Sequence, residues 1–563
     1  MEMVKIENLS FTYPERQRKA LSQIDLEIKE GDFVVICGES GCGKTTLLRL
    51  LKRELAPNGN KTGEIYYRGT KLEDLEERTA AGDIGFVMQN PEHQLVTDKV
   101  WHELAFGLEN MGVPTQVIRR RVGEMSCFFG IDSWFRSPTD KLSGGQKQLL
   151  NLASVMAMNP KLLLLDEPTS QLDPIAASDF IRTLQKLNLE LGLTIILVEH
   201  RLEDVFPIAD KAVIMENGGI LYEGEPRRAG DALSRISKDH RMLLGMPSAV
   251  RIFQGLSVRD KCPLTVKEGR DFLKRHFTNE KEKTMERKRR LIQEETPVME
   301  GKNLWFRYER DLPDVLEGIS LDIRKGEFLS ILGGNGSGKT TLLSILAGQR
   351  HAYRGKIKIN GKKIRDYKGK ELYRHNVALL PQDPQLLFLK STVLEDYQEI
   401  CKVMGYEKER AMEEIGRTLE NMGISHLADR HPYDLSGGEQ QKAALGKVLL
   451  QKPKILLMDE PTKGIDAYAK NSLTQILKEL KKQGMTILMV THDVEFAAEN
   501  SDRCGMIFDH QLLSLDTPEA FFSDNSFYTT AANRISRHLY RNAITCDDVI
   551  SMCRRNNVEE EKV

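Results

Sequence analysis

Short apolar runs at residues 32–37, 161–166 and 194–198 in the first half of the chain, and at 328–332, 455–460 and 487–490 in the second, are continuous rather than alternating. Runs of that length, buried on both faces, predict strands of a parallel sheet. Helical stretches follow two of them, at 46–51 and 341–346, and another, at 147–158, precedes the run at 161–166. Strands interleaved with helices predict an α/β fold. No apolar run approaches the roughly 18 residues of a bilayer span. The first residues, Met1-Glu2-Met3-Val4-Lys5, lack the apolar core of a secretion signal.

The pattern repeats. Gly38-Glu39-Ser40-Gly41-Cys42-Gly43-Lys44-Thr45-Thr46 returns as Gly333-Gly334-Asn335-Gly336-Ser337-Gly338-Lys339-Thr340-Thr341, 295 residues later. Leu142-Ser143-Gly144-Gly145-Gln146 returns as Leu435-Ser436-Gly437-Gly438-Glu439, and Leu165-Asp166-Glu167-Pro168-Thr169 as Met458-Asp459-Glu460-Pro461-Thr462, both 293 residues on. A near-constant offset over such a span predicts one large domain present twice rather than a solenoid. A weaker repeat follows each copy: Ser248–Ile252 resembles Ala531–Ile535, and Leu264–Glu268 resembles Ile544–Asp548. The second pair sets a Thr three residues before an acid, the mark of a helix start.

Composition narrows the picture only slightly. The 563 residues carry 81 basic and 82 acidic side chains, so the net charge of −1 argues against a nucleic-acid binder acting through a strong overall field. Eight cysteines without paired CxxC spacing point to a reducing compartment. The stretch 279–296 is almost wholly polar and reads as a linker or an exposed helix. Basic residues outnumber acidic ones 11 to 5 over 261–290; a solvated tether is the favoured reading there, contact with anionic lipid or RNA the other.

The repeated motifs carry chemistry. Strand, GxxxxGKT and helix in that order form a phosphate-binding loop: glycines let the backbone wrap an anion and N–H groups at the helix start face it. Lys44 and Lys339 suit the β/γ-phosphates, and the Thr45 and Thr340 hydroxyls suit Mg²⁺. Apolar strands ending in Asp166-Glu167 and Asp459-Glu460 bring two acids to the ligand crevice at a carboxyl strand end. The aspartate is placed for Mg²⁺, the glutamate to polarise an attacking water. Ser143-Gly144-Gly145 and Ser436-Gly437-Gly438 open helices with bare amides and a hydroxyl, a second anion-binding turn per domain.

Phosphate loop, LSGG(Q/E), Asp-Glu strand end and a later histidine, in this order and twice over, resemble the nucleotide-binding domain of ATP-binding cassette (ABC) proteins. The resemblance implies two P-loop ABC-type domains in tandem, each with a small helical C-terminal module: a first cassette at 1–228, its module at 229–278, a linker at 279–296, a second cassette at 297–515 and its module at 516–563. It implies ATP and Mg²⁺ as ligands, and pairing of the two halves within the chain so that the signature turn of one covers the ATP of the other. Tyr13 and Tyr308 match the aromatic that stacks on adenine, core packing being the other reading. Gln89 and Gln382 match the Mg²⁺-sensing glutamine, His200 and His492 the γ-phosphate histidine, Asp173 and Asp466 the loop that crosses between halves. Gly38, Ser40, Gly41, Gly43, Thr46, Gly333, Asn335, Gly336, Gly338 and Thr341 complete the two loops. With both glutamates and both lysines present, two hydrolytic sites are expected.

Three kinds of ABC protein compete. The segment Asn90-Pro91-Glu92-His93-Gln94-Leu95, continuing to Glu103-Leu104-Ala105-Phe106-Gly107, is similar to the energising ATPases of energy-coupling-factor (ECF) importers for vitamins and metals. Pro381–Phe388 is a shorter likeness. That resemblance implies an ATPase at the cytoplasmic face of the membrane, docked on a T-type scaffold subunit and a substrate-binding subunit, with no nucleic acid. A soluble tandem ATPase acting on ribosomes is the alternative; its long basic arm between domains is missing here. A tandem sugar-importer ATPase fits less, since a degenerate second site is usual there.

Overall fold

The computed structural model describes residues 1–14, 18–256, 258–277, 297–526 and 528–560. The charged stretch 279–296 lies outside the described residues. The chain divides into two compact units, Met1–Gln254 with Arg259–Thr265, and Gly255–Val258 with Val266–Val563.

In the first unit a six-stranded sheet runs in the order Gly219–Gly224, Lys211–Glu216, Phe33–Gly38, Thr194–Val198, Leu162–Asp166, Ile84–Val87. Its strands are parallel except the edge strand Gly219–Gly224, which returns antiparallel. Phe33–Gly38, Leu162–Asp166 and Thr194–Val198 are buried at every position, which is why their apolar runs do not alternate. A four-stranded antiparallel sheet, Leu21–Lys29, Glu2–Thr12, Asn60–Tyr67, Thr70–Lys71, packs its apolar side into the same core through Leu9, Phe11, Ile24 and Ile65.

The second unit repeats the plan: Val377–Leu380, Ile455–Asp459, Thr486–Thr491, Phe328–Leu332, Arg503–Phe508, Gln511–Asp516 in one sheet, and Leu316–Ile323, Met299–Phe306, Arg354–Ile359, Lys362–Lys363 in the other. Small helices follow each large sheet. Pro226–Ile236 and Ser248–Leu256 begin in the first unit, and Pro518–Asp524, Ala531–Ser536 and Cys546–Glu560 end the second. Thr545 and Asp548 close a reciprocal helix cap, Asp548 N–H donating to Thr545 Oγ1 at 3.2 Å and Thr545 N–H to Asp548 Oδ2 at 2.9 Å. Helix Val266–His276 belongs to the second unit, where it packs on Ala531–Ser536 and Arg270 donates to the Arg534 carbonyl at 2.9 Å.

Candidate functional site

Each phosphate-type loop leaves the carboxyl end of a central strand, Phe33–Gly38 or Phe328–Leu332, and enters a helix, Lys44–Leu50 or Lys339–Leu346. Gly43 at the helix start has φ +106°, and a Cβ there would lie 2.5 Å from the Ala20 carbonyl oxygen. Only glycine satisfies both conditions. Gly338 repeats this at φ +97° with the Val315 carbonyl 2.7 Å away. Ser40 and Asn335 are exposed at the loop tips.

Lys44 is 4% exposed, and its Nζ donates to the Gly38 and Glu39 carbonyls at 2.9 Å each. Lys339 does the same with Gly333 and Gly334 at 2.9 Å. The loop therefore curls round a buried ammonium, a cradle that suits a polyanion. Tyr13 hydroxyl lies 3.1 Å from Thr46 Oγ1, and Tyr308 hydroxyl 3.0 Å from Thr341 Oγ1. Both rings are thereby held against the loop helix, and Tyr308 is half exposed, so a planar ring can stack there.

The acids stand beside the loop. Thr45 Oγ1 donates to Asp166 Oδ1 at 3.0 Å, and Thr340 Oγ1 to Asp459 Oδ1 at 3.1 Å. Burial, then the neighbouring Glu167 charge, pushes the Asp166 carboxyl up to about 6, against the Thr45 hydrogen bond. Burial likewise pushes Asp459 up to about 6. A buried carboxylate beside a hydroxyl is a fitting donor pair for a divalent cation. A cavity of about 390 Å³ opens beside the first pair, lined by Thr45, Arg49, Met88, Gln89 and Asp166 among others.

Glu167 and Glu460 sit one residue past the strand end with φ 44° and 46°. Left-handed backbone is costly for glutamate. It is held by a bond to the next strand: Glu167 N–H donates to the Val198 carbonyl at 3.0 Å, Glu460 N–H to Val490 at 2.9 Å. The kink turns each glutamate toward its histidine. His200 Nε2 lies 2.8 Å from Glu167 Oε1, and Gln89 Nε2 donates to Glu167 Oε2 at 2.8 Å. In the second unit His492 Nδ1 is 2.8 Å from Glu460 Oε2 and Lys339 Nζ 3.7 Å from Glu460 Oε1. Burial would raise the Glu460 carboxyl, but His492 and Lys339 outweigh it and hold it below its ordinary value. Gln382 is exposed on its loop.

The signature turns start other helices, Gly144–Ala157 and Gly437–Leu449. In the first, Gln146 N–H donates to Ser143 Oγ at 3.3 Å and Ser143 N–H to Gln146 Oε1 at 2.9 Å. In the second, the Ser436 N–H and hydroxyl both donate to Glu439 Oε2, at 2.8 and 2.7 Å. Nothing lies within 4 Å of a Cβ built at Gly144, which leaves that turn open to a ligand. Asp173 and Asp466 cap the following helices, accepting from Ala176 N–H at 2.9 Å and Ala469 N–H at 2.7 Å.

Sequence reasoning did not single out Glu199, which is 2% exposed and bonded to both Thr169 and His200. An acid closing the apolar strand just before the histidine was the available signal. It also passed over Asp396, which caps Leu389 and Lys390 N–H and pairs with Lys447 at 2.6 Å.

Among the described residues no helix is long and apolar enough to cross a membrane. The ABC transporter family pattern matches residues 21–170 and again 316–463. A Bacillus cereus protein named "Putative ABC transporter ATP-binding protein" is 42% identical over 98% of this chain and 99% of its own length. A Methanosarcina mazei protein of the same name is 32% identical over 92% of this chain and 89% of its own. Among solved structures, cbiO1 from Clostridium perfringens, described as part of the ABC transporter complex cbiONQ, aligns at 31% identity over 42% of this chain and 95% of that one, with a TM-score of 0.38. The chain belongs to the ABC transporter family: it carries the cassette twice and is an ATPase that energises such a transporter.

Proposed function

We propose that the chain is the energising ATPase of an ECF-type importer, driving uptake of a vitamin or metal through separate membrane subunits. It would act as a peripheral protein at the cytoplasmic face, bound to a T-type scaffold and a substrate-binding subunit. The observation that carries the hydrolytic part is the grip on Glu167, with His200 Nε2 and Gln89 Nε2 each at 2.8 Å, beside Thr45 and Asp166. The observation that favours the importer class is the segment 90–107 after Gln89, whose helix Val100–Asn110 follows the Asn-Pro turn.

On this reading Lys44 and Lys339 neutralise β/γ-phosphate charge, and the loop amides hold the phosphates in place. Thr45 with Asp166, and Thr340 with Asp459, would hold Mg²⁺, with Gln89 and Gln382 approaching from their loops. Mg²⁺, when bound, supplies positive charge against that developing on the β- and γ-oxygens. Glu167 and Glu460 orient and polarise the attacking water, and His200 and His492 keep those carboxylates in position and face the γ-phosphate. Tyr13 and Tyr308 offer faces to the adenine. The two cassettes would act as a pair, their covalent linkage raising the effective concentration of each for the other.

Purification of the tagged chain from membranes tests the importer class. Co-purifying hydrophobic scaffold and substrate-binding subunits support it. Co-sedimentation with ribosomes, without membrane partners, would overturn it.

A further inference from the structure

We infer that Glu199 is a positioning residue of the first hydrolytic site, and that the second site works without a counterpart. The inference rests on the proposed roles of Glu167 and His200. Glu199 follows the strand Thr194–Val198, whose Val198 pairs with Asp166. Its side chain bridges two functional segments. Oε1 accepts from Thr169 N–H at 3.1 Å and from the Thr169 hydroxyl at 2.6 Å, and Oε2 accepts from His200 N–H at 3.1 Å. Thr169 lies two residues beyond Glu167, at the start of the loop that ends in Asp173. Three donors converge on one carboxylate that is 2% exposed. That arrangement fits an acceptor-only group and nothing else of similar shape.

The second unit solves the same problem differently. Thr491 occupies the position, is fully buried, and accepts from Asp493 N–H at 3.0 Å. There the histidine's own N–H donates to the glutamate: His492 N–H to Glu460 Oε2 at 3.1 Å. In the first unit Glu199 takes that N–H instead. Glu167 then presents its two oxygens to His200 Nε2 and Gln89 Nε2. Glu199 thus decides how the catalytic glutamate is held, and ties that choice to the backbone of the loop beginning at Thr169. The two sites are built to respond unequally to one substitution.

Rapid-quench single turnover of the full chain, loaded with two MgATP, reads this directly. Glu199→Gln keeps the volume, but its amide N–H₂ must face either Thr169 or His200 donors. In E199Q, half of the bound ATP is expected to be hydrolysed about 10-fold more slowly than the other half, with occupancy still two per chain. Glu199→Thr, which installs the second unit's residue, should give the same half-amplitude split. Both halves unchanged, or both slowed together, would overturn the inference. Unimpaired hydrolysis in the Glu167→Gln, Glu460→Gln double variant would instead remove the glutamate assignment on which it rests.

Discussion

Replacing Asp166 with Asn should stabilise the ligand-free first unit while destroying that unit's response to magnesium. Burial, then Glu167, pushes the Asp166 carboxyl from 3.8 up to about 6. The folded state therefore holds this proton more tightly than the unfolded chain. Ionising the group costs stability as pH rises through the interval, and the cost is complete above about 6. Holding the carboxyl that far above its ordinary value is worth about 3 kcal/mol. Asn removes the charge but still accepts from the Thr45 hydroxyl, through a weaker bond, a loss of about 1 kcal/mol. The net expectation is a gain of about 2 kcal/mol at pH 7.5, shrinking as pH falls toward 4. Two of the three tryptophans, Trp101 and Trp134, lie in the first unit, so a Trp305→Phe background makes fluorescence report on that unit. Urea denaturation in EDTA at several pH values gives the gain, and a second series with MgATP tests the metal. Wild-type protein should gain more from MgATP than from ATP with EDTA, and the variant should gain equally from both. A variant no more stable than wild type at pH 7.5, or a gain that persists unchanged on acidification, would refute the reasoning.

Other expectations follow from single contacts. Lys44→Ala removes the ammonium that donates to Gly38 and Glu39; ATP affinity at one of two sites should fall about 100-fold, as charge-assisted bonds of about 3 kcal/mol imply. Equilibrium titration should then resolve two classes of site, and equal weakening of both would deny separable pockets. Tyr308→Phe loses only the 3.0 Å contact with Thr341 and should change the ATP KM less than threefold, whereas Tyr308→Ala loses a stacking face and should raise it about 10-fold. Equal effects of the two substitutions would remove the adenine role from the ring.

Much of the large sheet is readable in the sequence because its strands are buried on both faces. The runs at 161–166, 194–198 and 328–332 correspond to Leu162–Asp166, Thr194–Val198 and Phe328–Leu332 within a residue. Helices after the glycine loops start at Lys44 and Lys339, two residues before the apolar spacing begins, because the loop's last glycine rather than hydrophobicity sets the start. The four-stranded sheets were not legible: register shifts near Glu7 and Leu9 break the alternation of Glu2–Thr12, so no period of two survives. The repeat offset locates helix Val266–His276 but says nothing of its partner. That packing depends on contacts with a helix more than 250 residues later. At the site, motif order names Lys44, Asp166, Glu167 and His200. It cannot disclose that Glu167 and Glu460 are left-handed, since such backbone usually announces itself through Gly or Asn. The exchange of Gln146 for Glu439 is plain in the sequence, but the different bonding of Glu199 and Thr491 needs the structure.

The most direct measurement is steady-state ATP hydrolysis by the Glu167→Gln, Glu460→Gln double variant, alongside ATP binding by the same protein. The account predicts binding within about threefold of wild type and turnover lower by at least about 100-fold, the scale of a lost general base. Wild-type turnover with both glutamates replaced would contradict it.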